Sequence, residues 1–249
     1  MNSFVPCSVV HWDGEKAHRT QLDLVGESPL TIWLQDRVYR VEMRTPGDEI
    51  AHAVGFCLSR GIVTKPDDFS AIQHTSDDPD TVRLTLSAGG LKSENEGPGA
   101  SVFEKSGLPR FDDPLRLNLA SAYERLIRLG DFQKLREKTG ASHAAAIFND
   151  QLELVAFAED VGRHNALDKA IGKLFLENNL GRARLLALSS RISFELVQKA
   201  ARARIPIIFS MSRPTSLAVR TGIELNMTLA CLSRKEGLFI FCGKDRLSL

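Results

Sequence analysis

From residue 115 onward, segments with apolar residues at helical spacing alternate with short runs that are apolar almost throughout. Leu115, Leu119, Ala122, Leu126 and Leu129 recur every three or four residues and predict one long helix over 115–136. Ala144 to Phe148 and Leu152 to Ala158 flank Asn149-Asp150-Gln151, the pattern of an antiparallel hairpin. Helices are predicted over 163–177, 193–203 and 215–225, with strands at 184–189, 206–211 and 227–232 between them and a last strand over 238–242 after the turn Lys235-Glu236-Gly237. Short apolar strands separated by helices belong in a parallel sheet covered on both faces, so this half reads as a three-layer α/β domain.

The first hundred residues read differently, as strands with one helix. Leu30 to Leu34 and Val38 to Met43 are β-rich runs parted by Gln35-Asp36-Arg37, which predicts a hairpin. Thr45-Pro46-Gly47-Asp48-Glu49 opens a helix in which Thr45 caps, Pro46 takes the first position and the two acids face the positive end of the dipole. That helix runs to Ser59 and stops at Gly61, and another strand covers Thr81 to Ser87. Ala88-Gly89-Gly90 then begins a stretch rich in Gly, Ser, Glu and Lys, predicted to be the least ordered part and to end near Pro114. The division expected is a smaller α+β domain over 1–114 and an α/β domain over 115–249.

Composition narrows the function classes. With 32 basic and 31 acidic residues in 249 the formal charge is +1, which argues against a nucleic-acid clamp or an acidic-membrane binder. No apolar run reaches membrane-spanning length and Met1 to Pro6 carries no basic-then-apolar signal, so the cytoplasm is the expected compartment. Cys7, Cys57, Cys231 and Cys242 form no Cys-x-x-Cys motif and read as small buried hydrophobes.

Ligands of such sheets collect beyond the carboxyl ends of the strands, where unpaired helix N–H groups attract anions. Three predicted turns meet that rule. They are Glu159 to Asn165 with Arg163, His164 and Asn165; Ser189 to Ser193 with Ser190 and Arg191; and Ser210 to Ser216 with Ser212, Arg213 and Thr215. One Ser-x-x-Ser turn alone is best read as a helix cap, but three arginine-bearing turns on one edge argue for an anionic, phosphate-bearing ligand. Asp160, His164 and Asp168 are spaced by four, which on one helix face, with Arg163 and Lys169 beside them, would let a carboxylate orient His164 as acid, base or donor. A capping Asp and a structural His fit the same spacing.

The run Asp160-Val161-Gly162-Arg163-His164-Asn165-Ala166-Leu167-Asp168-Lys169 resembles the signature of the FdhD family of formate dehydrogenase accessory proteins. So do Thr45 to Glu49 with Gly55-Phe56 and Gly61-Ile62, Thr139 to Ala145, Ser193 to Ala201 and Pro214 to Val219, in the family's order. The resemblance implies a protein that supports the formate dehydrogenase catalytic subunit, receives sulfur from a cysteine desulfurase, binds the molybdenum bis(molybdopterin guanine dinucleotide) cofactor as cargo and forms a homodimer. GDP would mimic the guanine end of that cargo. It implies a fold like cytidine deaminase, but the turns that would hold zinc carry Ser190-Arg191-Ile192-Ser193 and Arg163-His164-Asn165, too few ligands for the metal. The family's cofactor-binding stretch falls on Leu232, Ser233, Arg234, Lys235, Glu236 and Gly237, where the alternative is a solvated turn.

One departure bears on the chemistry. Sulfur-carrying relatives have Cys-Gly-x-Cys in the loop between their domains, and here the corresponding Lys105-Ser106-Gly107-Leu108-Pro109 has Ser106 and Pro109 in the cysteine positions. A persulfide needs a polarisable thiolate, which a serine hydroxyl cannot replace, so no catalytic residue is assigned and sulfur relay through this loop is not expected. Two readings stand foremost: a maturation factor that binds the cofactor and assists its sulfuration or insertion, with sulfur transfer either lost or done by Cys7, Cys57, Cys231 or Cys242, and a nucleotide-binding regulatory protein. An enzyme using His164 is the weaker third, for want of a partnered nucleophile or metal set.

Overall fold

The computed structural model describes residues 2–88, 107–233 and 237–248. The chain opens with a two-stranded antiparallel ribbon, β1 (Phe4–Trp12) and β2 (Ala17–Val25). Next come β3 (Ser28–Leu34), β4 (Arg37–Arg44), α1 (Glu49–Arg60), β5 (Phe69–Thr75) and β6 (Asp78–Leu86), whose strands form a sheet in the order β4-β3-β6-β5. The predicted hairpin is β3 and β4. The ribbon and β5 were not legible: much of the ribbon is exposed on both faces, so neither strand shows clean alternation.

The second part runs β7 (Leu117–Asn118), α2 (Leu119–Ile127), α3 (Lys134–Thr139), β8 (His143–Phe148), β9 (Leu154–Asp160), α4 (Arg163–Leu176), β10 (Leu185–Leu188), α5 (Phe194–Arg202), β11 (Ile207–Ser210), α6 (Ser216–Glu224), β12 (Thr228–Leu232), β13 (Leu238–Cys242) and β14 (Leu247–Ser248). Six strands form one sheet in the order β13-β12-β11-β10-β8-β9. Strands β10, β11 and β12 are parallel, while β8 and β13 join antiparallel. Its two faces feed two cores. Leu185, Ala187, Phe148 and Phe209 pack with Ala122, Leu126 and Leu129, and Leu186, Leu188, Ile147 and Ile208 pack with α4 and α5. This is the α/β architecture with helices on both faces.

Two predicted elements are corrected. The helix over 115–136 is broken: Leu117–Asn118 pairs with β14, Asn118 Oδ1 accepts from Ser121 N–H at 2.9 Å to start α2, and a 3-10 turn over Arg128–Phe132 separates α2 from α3. Gly130 falls in that turn, where a residue of low helix propensity weakens continuation. Thr45 does not cap α1, because its hydroxyl accepts from Val161 N–H instead and Asp48 occupies the cap position in the left-handed region at φ 60°.

Helix α1 lies against α4, and the core runs without interruption from the four-stranded sheet through both helices to the six-stranded sheet. The approach is close enough that a Cβ on Gly55 would overlap the Asp168 carbonyl and one on Gly172 the Ala51 carbonyl. No helix among the described residues is long and apolar enough to cross a membrane.

Candidate functional site

Because β8 is antiparallel to both β9 and β10, strands β9, β10, β11 and β12 all point the same way. The turns that follow β9, β10 and β11 therefore share one sheet edge with the start of β8 at His143. Hydrogen bonds sew them together: Met211 N–H donates to Leu188 O at 2.9 Å, Thr215 N–H to Ile192 O at 2.9 Å, and Ala144 N–H to the Ser189 side-chain Oγ at 2.8 Å. Arg163, Arg191 and Arg213 thus stand on one edge, as the sequence predicts. None of the three has an ion-pair partner among the described residues, although Arg213 lies over the Phe239 ring at 5.8 Å.

The smaller polar residues of these turns divide by role. Thr215 Oγ1 caps α6 by accepting from Ala218 N–H, and Ser190 Oγ, buried, donates to Arg191 O. Ser212 gives its carbonyl to Ser210 Oγ. Leu232, Ser233 and Gly237 are half-buried at the far end of the edge, where Ser233 N–H donates to Gly237 O and Gly237 N–H to Tyr123 Oη. Arg234, Lys235 and Glu236 lie outside the described residues, as does Ser106.

The spacing of Asp160, His164 and Asp168 does not make one functional face, because each serves a different contact. Asp160 precedes the helix and is fully buried, accepting from Thr45 N–H, Gly162 N–H, Asn165 Nδ2 and Lys169 Nζ. Asn165 Nδ2 also donates to Met43 O at 2.7 Å, so this amide ties β4 to α4. Asp168 pairs with Lys199 of α5 at 2.6 Å and accepts from Ser59 Oγ at 2.6 Å. Burial pushes the Asp168 carboxyl up, and Lys199 opposes it.

His164 turns to α5. Its Nε2 lies 2.8 Å from Glu195 Oε2, in contact but without hydrogen-bond alignment. Burial, then Lys199, Arg163 and Arg60, lower the imidazole pKa to about 3, so His164 is neutral at physiological pH. Nearby His143 is lowered by burial and by Arg163.

Beside His164 a cleft of about 290 Å³ opens between β4, α1, α4 and α5. Arg60, Glu195 and Lys199 line it, and spacing could not have linked residues so far apart in the chain. The one available signal was Glu195 and Lys199, four apart on one face of α5.

The thiols lie elsewhere. Cys57 is fully buried, and burial followed by Asp168 pushes its thiol far above the usual range; burial raises Cys231 and Cys242 as well. Cys7 is half-buried on the ribbon. The segment after Ser106 is anchored at the opposite edge of the sheet: Phe111 N–H donates to Leu225 O, and Arg110 Nη1 to Glu224 O, just before β12 begins. Pro109 immediately precedes that anchor.

Comparison with known proteins agrees with this architecture. Residues 25–248 match the FdhD/NarQ family. A sulfur carrier protein FdhD from Streptomyces coelicolor is 34% identical over 91% of this chain and 89% of its own. One from Saccharolobus solfataricus is 33% identical over 84% and 83%. The crystal structure of a candidate formate dehydrogenase accessory protein from Desulfotalea psychrophila superposes with a TM-score of 0.82 over 98% of this chain and 99% of that one, at 23% identity, and shares the fold. With a match that spans most of its length, the chain belongs to the FdhD/NarQ family.

Proposed function

We propose that this chain is an accessory protein for the formate dehydrogenase catalytic subunit that holds the guanine dinucleotide end of the molybdenum cofactor as cargo. The site is the carboxyl edge of the six-stranded sheet. The observation that carries this reading is the set of three guanidiniums, Arg163, Arg191 and Arg213, on one edge with no acidic partner among the described residues. Guanidinium forks suit phosphate oxygens, and helix N-termini at the same edge add N–H donors. The protein's part is to bind and orient the cargo until transfer, as a homodimer in the cytoplasm.

Relatives are named sulfur carriers, but three of the four thiols here do not suit that work. Burial holds Cys57, Cys231 and Cys242 in the protonated form, and the family's cysteine positions carry Ser106 and Pro109. Cargo binding and insertion therefore proceed without sulfur relay through the loop, and a cysteine desulfurase is not a required partner. The test is genetic complementation. Deletion of this chain abolishes formate dehydrogenase activity in its host, and a variant with all four cysteines replaced by serine or alanine restores it. Unchanged activity after deletion would favour a nucleotide-binding regulatory role; failure of the soluble, folded cysteine-free variant would return sulfur transfer to the mechanism.

A further inference from the structure

The cleft between α1 and α5 carries two charges that have no oppositely charged partner among the described residues. Lys199 and Asp168 satisfy each other at its base, and Arg40 and Glu42 pair at 2.7 Å on its rim. Arg60 and Glu195 are left. Arg60 is half-buried, its guanidinium over the Phe56 ring at 5.4 Å, with no ion pair among the described residues. Glu195 lies against the ring of His164 and has no Lys or Arg partner among the described residues. The two line the same cleft without reaching each other, so one cation and one anion look into one small space.

Two unpaired opposite charges on separate walls match a ligand that is itself a zwitterion. Its carboxylate would take the Arg60 fork, and its ammonium would donate to Glu195, beside the neutral ring of His164. A volume of about 290 Å³ is at the low end for small-molecule sites, too small for a dinucleotide but ample for one metabolite. Phe56 and Met43 add apolar surface for an uncharged side chain. We infer that the cleft formed by Arg60, His164 and Glu195 is a binding site for a free α-amino acid with a small uncharged side chain. The site shares His164 with the proposed cargo edge but none of its arginines, and it does not depend on that reading.

Calorimetric titration of the full chain with L-alanine, L-serine, L-cysteine, L-valine, L-leucine and L-methionine tests the inference. At least one binds saturably, and the matching carboxylic acid without the amine and the matching amine without the carboxylate each bind roughly tenfold or more weakly. Arg60→Gln and Glu195→Gln, both at partly exposed positions, keep the wild-type melting temperature and lose amino-acid binding by a similar factor. GDP binding in these variants stays at the wild-type level, which separates this site from the sheet edge. The inference is overturned if no amino acid binds up to on the order of 10 mM, a free energy of only about 3 kcal/mol, or if binding survives in both variants or extends equally to the truncated analogues.

Discussion

Lys169 Nζ lies 2.7 Å from Asp160 Oδ2, and both side chains are almost wholly removed from solvent. The ammonium also donates to Thr45 O at 2.7 Å, and Asp160 accepts from Thr45 N–H. Two sequence motifs more than a hundred residues apart, Thr45 to Glu49 and Asp160 to Lys169, therefore meet in one buried polar knot. This knot fixes the start of α4, and with it the positions of Arg163 and His164.

A buried ammonium that loses its carboxylate has no route back to water. Asp160→Asn is expected to lower unfolding stability by about 3–5 kcal/mol, the usual cost of breaking a buried pair from one side. Urea unfolding checks this, and a loss under about 1 kcal/mol would mean that the ammonium finds water or another acceptor.

The α1–α4 crossing makes a second demand. Gly55 and Gly172 each face a carbonyl of the opposite helix with no room for a methyl group. Gly55→Ala and Gly172→Ala should each cost about 1–3 kcal/mol, since backbone on both sides must move apart. Thermal unfolding of the single variants is the check. Gly130→Ala, where an added Cβ meets nothing within 4 Å, is the control and should be close to neutral.

Acid should weaken the same region. His52 is fully buried on α1, and neither ring nitrogen has a well-formed hydrogen bond among the described residues. Burial, reinforced by Lys169, Lys199 and Arg44, holds its pKa well below the usual value. The unfolded chain then binds the proton more readily, near pH 6.5, so stability falls as pH drops from about 6.5 toward the folded-state value. His52→Leu should show a shallower decline than wild type between about pH 6.5 and 5 in denaturant melts.

Much of the α/β half was legible because burial on both sheet faces forces its strands to be apolar almost throughout; Leu185 to Leu188 and Ile207 to Ser210 are fully enclosed. The same signal misled at 115–136. Apolar residues keep helical spacing through Leu129, yet Arg128 bonds Asp131 at 2.8 Å and the backbone tightens into a 3-10 turn at Gly130. The arginine turns could be placed on one edge because strand direction follows from crossover connections. The partners of His164 and Asp168 could not be placed, because α5 supplies both and nothing in the spacing from Asp160 points to Glu195 or Lys199.

The central claim is that the sheet edge binds the guanine nucleotide end of the cofactor through its unpaired arginines. Calorimetric titration with GDP, comparing wild type with Arg163→Ala, Arg213→Ala and Arg234→Ala, measures it directly. The account predicts saturable binding to the wild-type protein and a loss of roughly tenfold or more in Arg163→Ala and Arg213→Ala, about one charge-assisted phosphate contact each. A similar loss in Arg234→Ala would extend the site to the turn after β12. No binding to the wild-type protein, or binding unchanged in Arg163→Ala and Arg213→Ala, would contradict it.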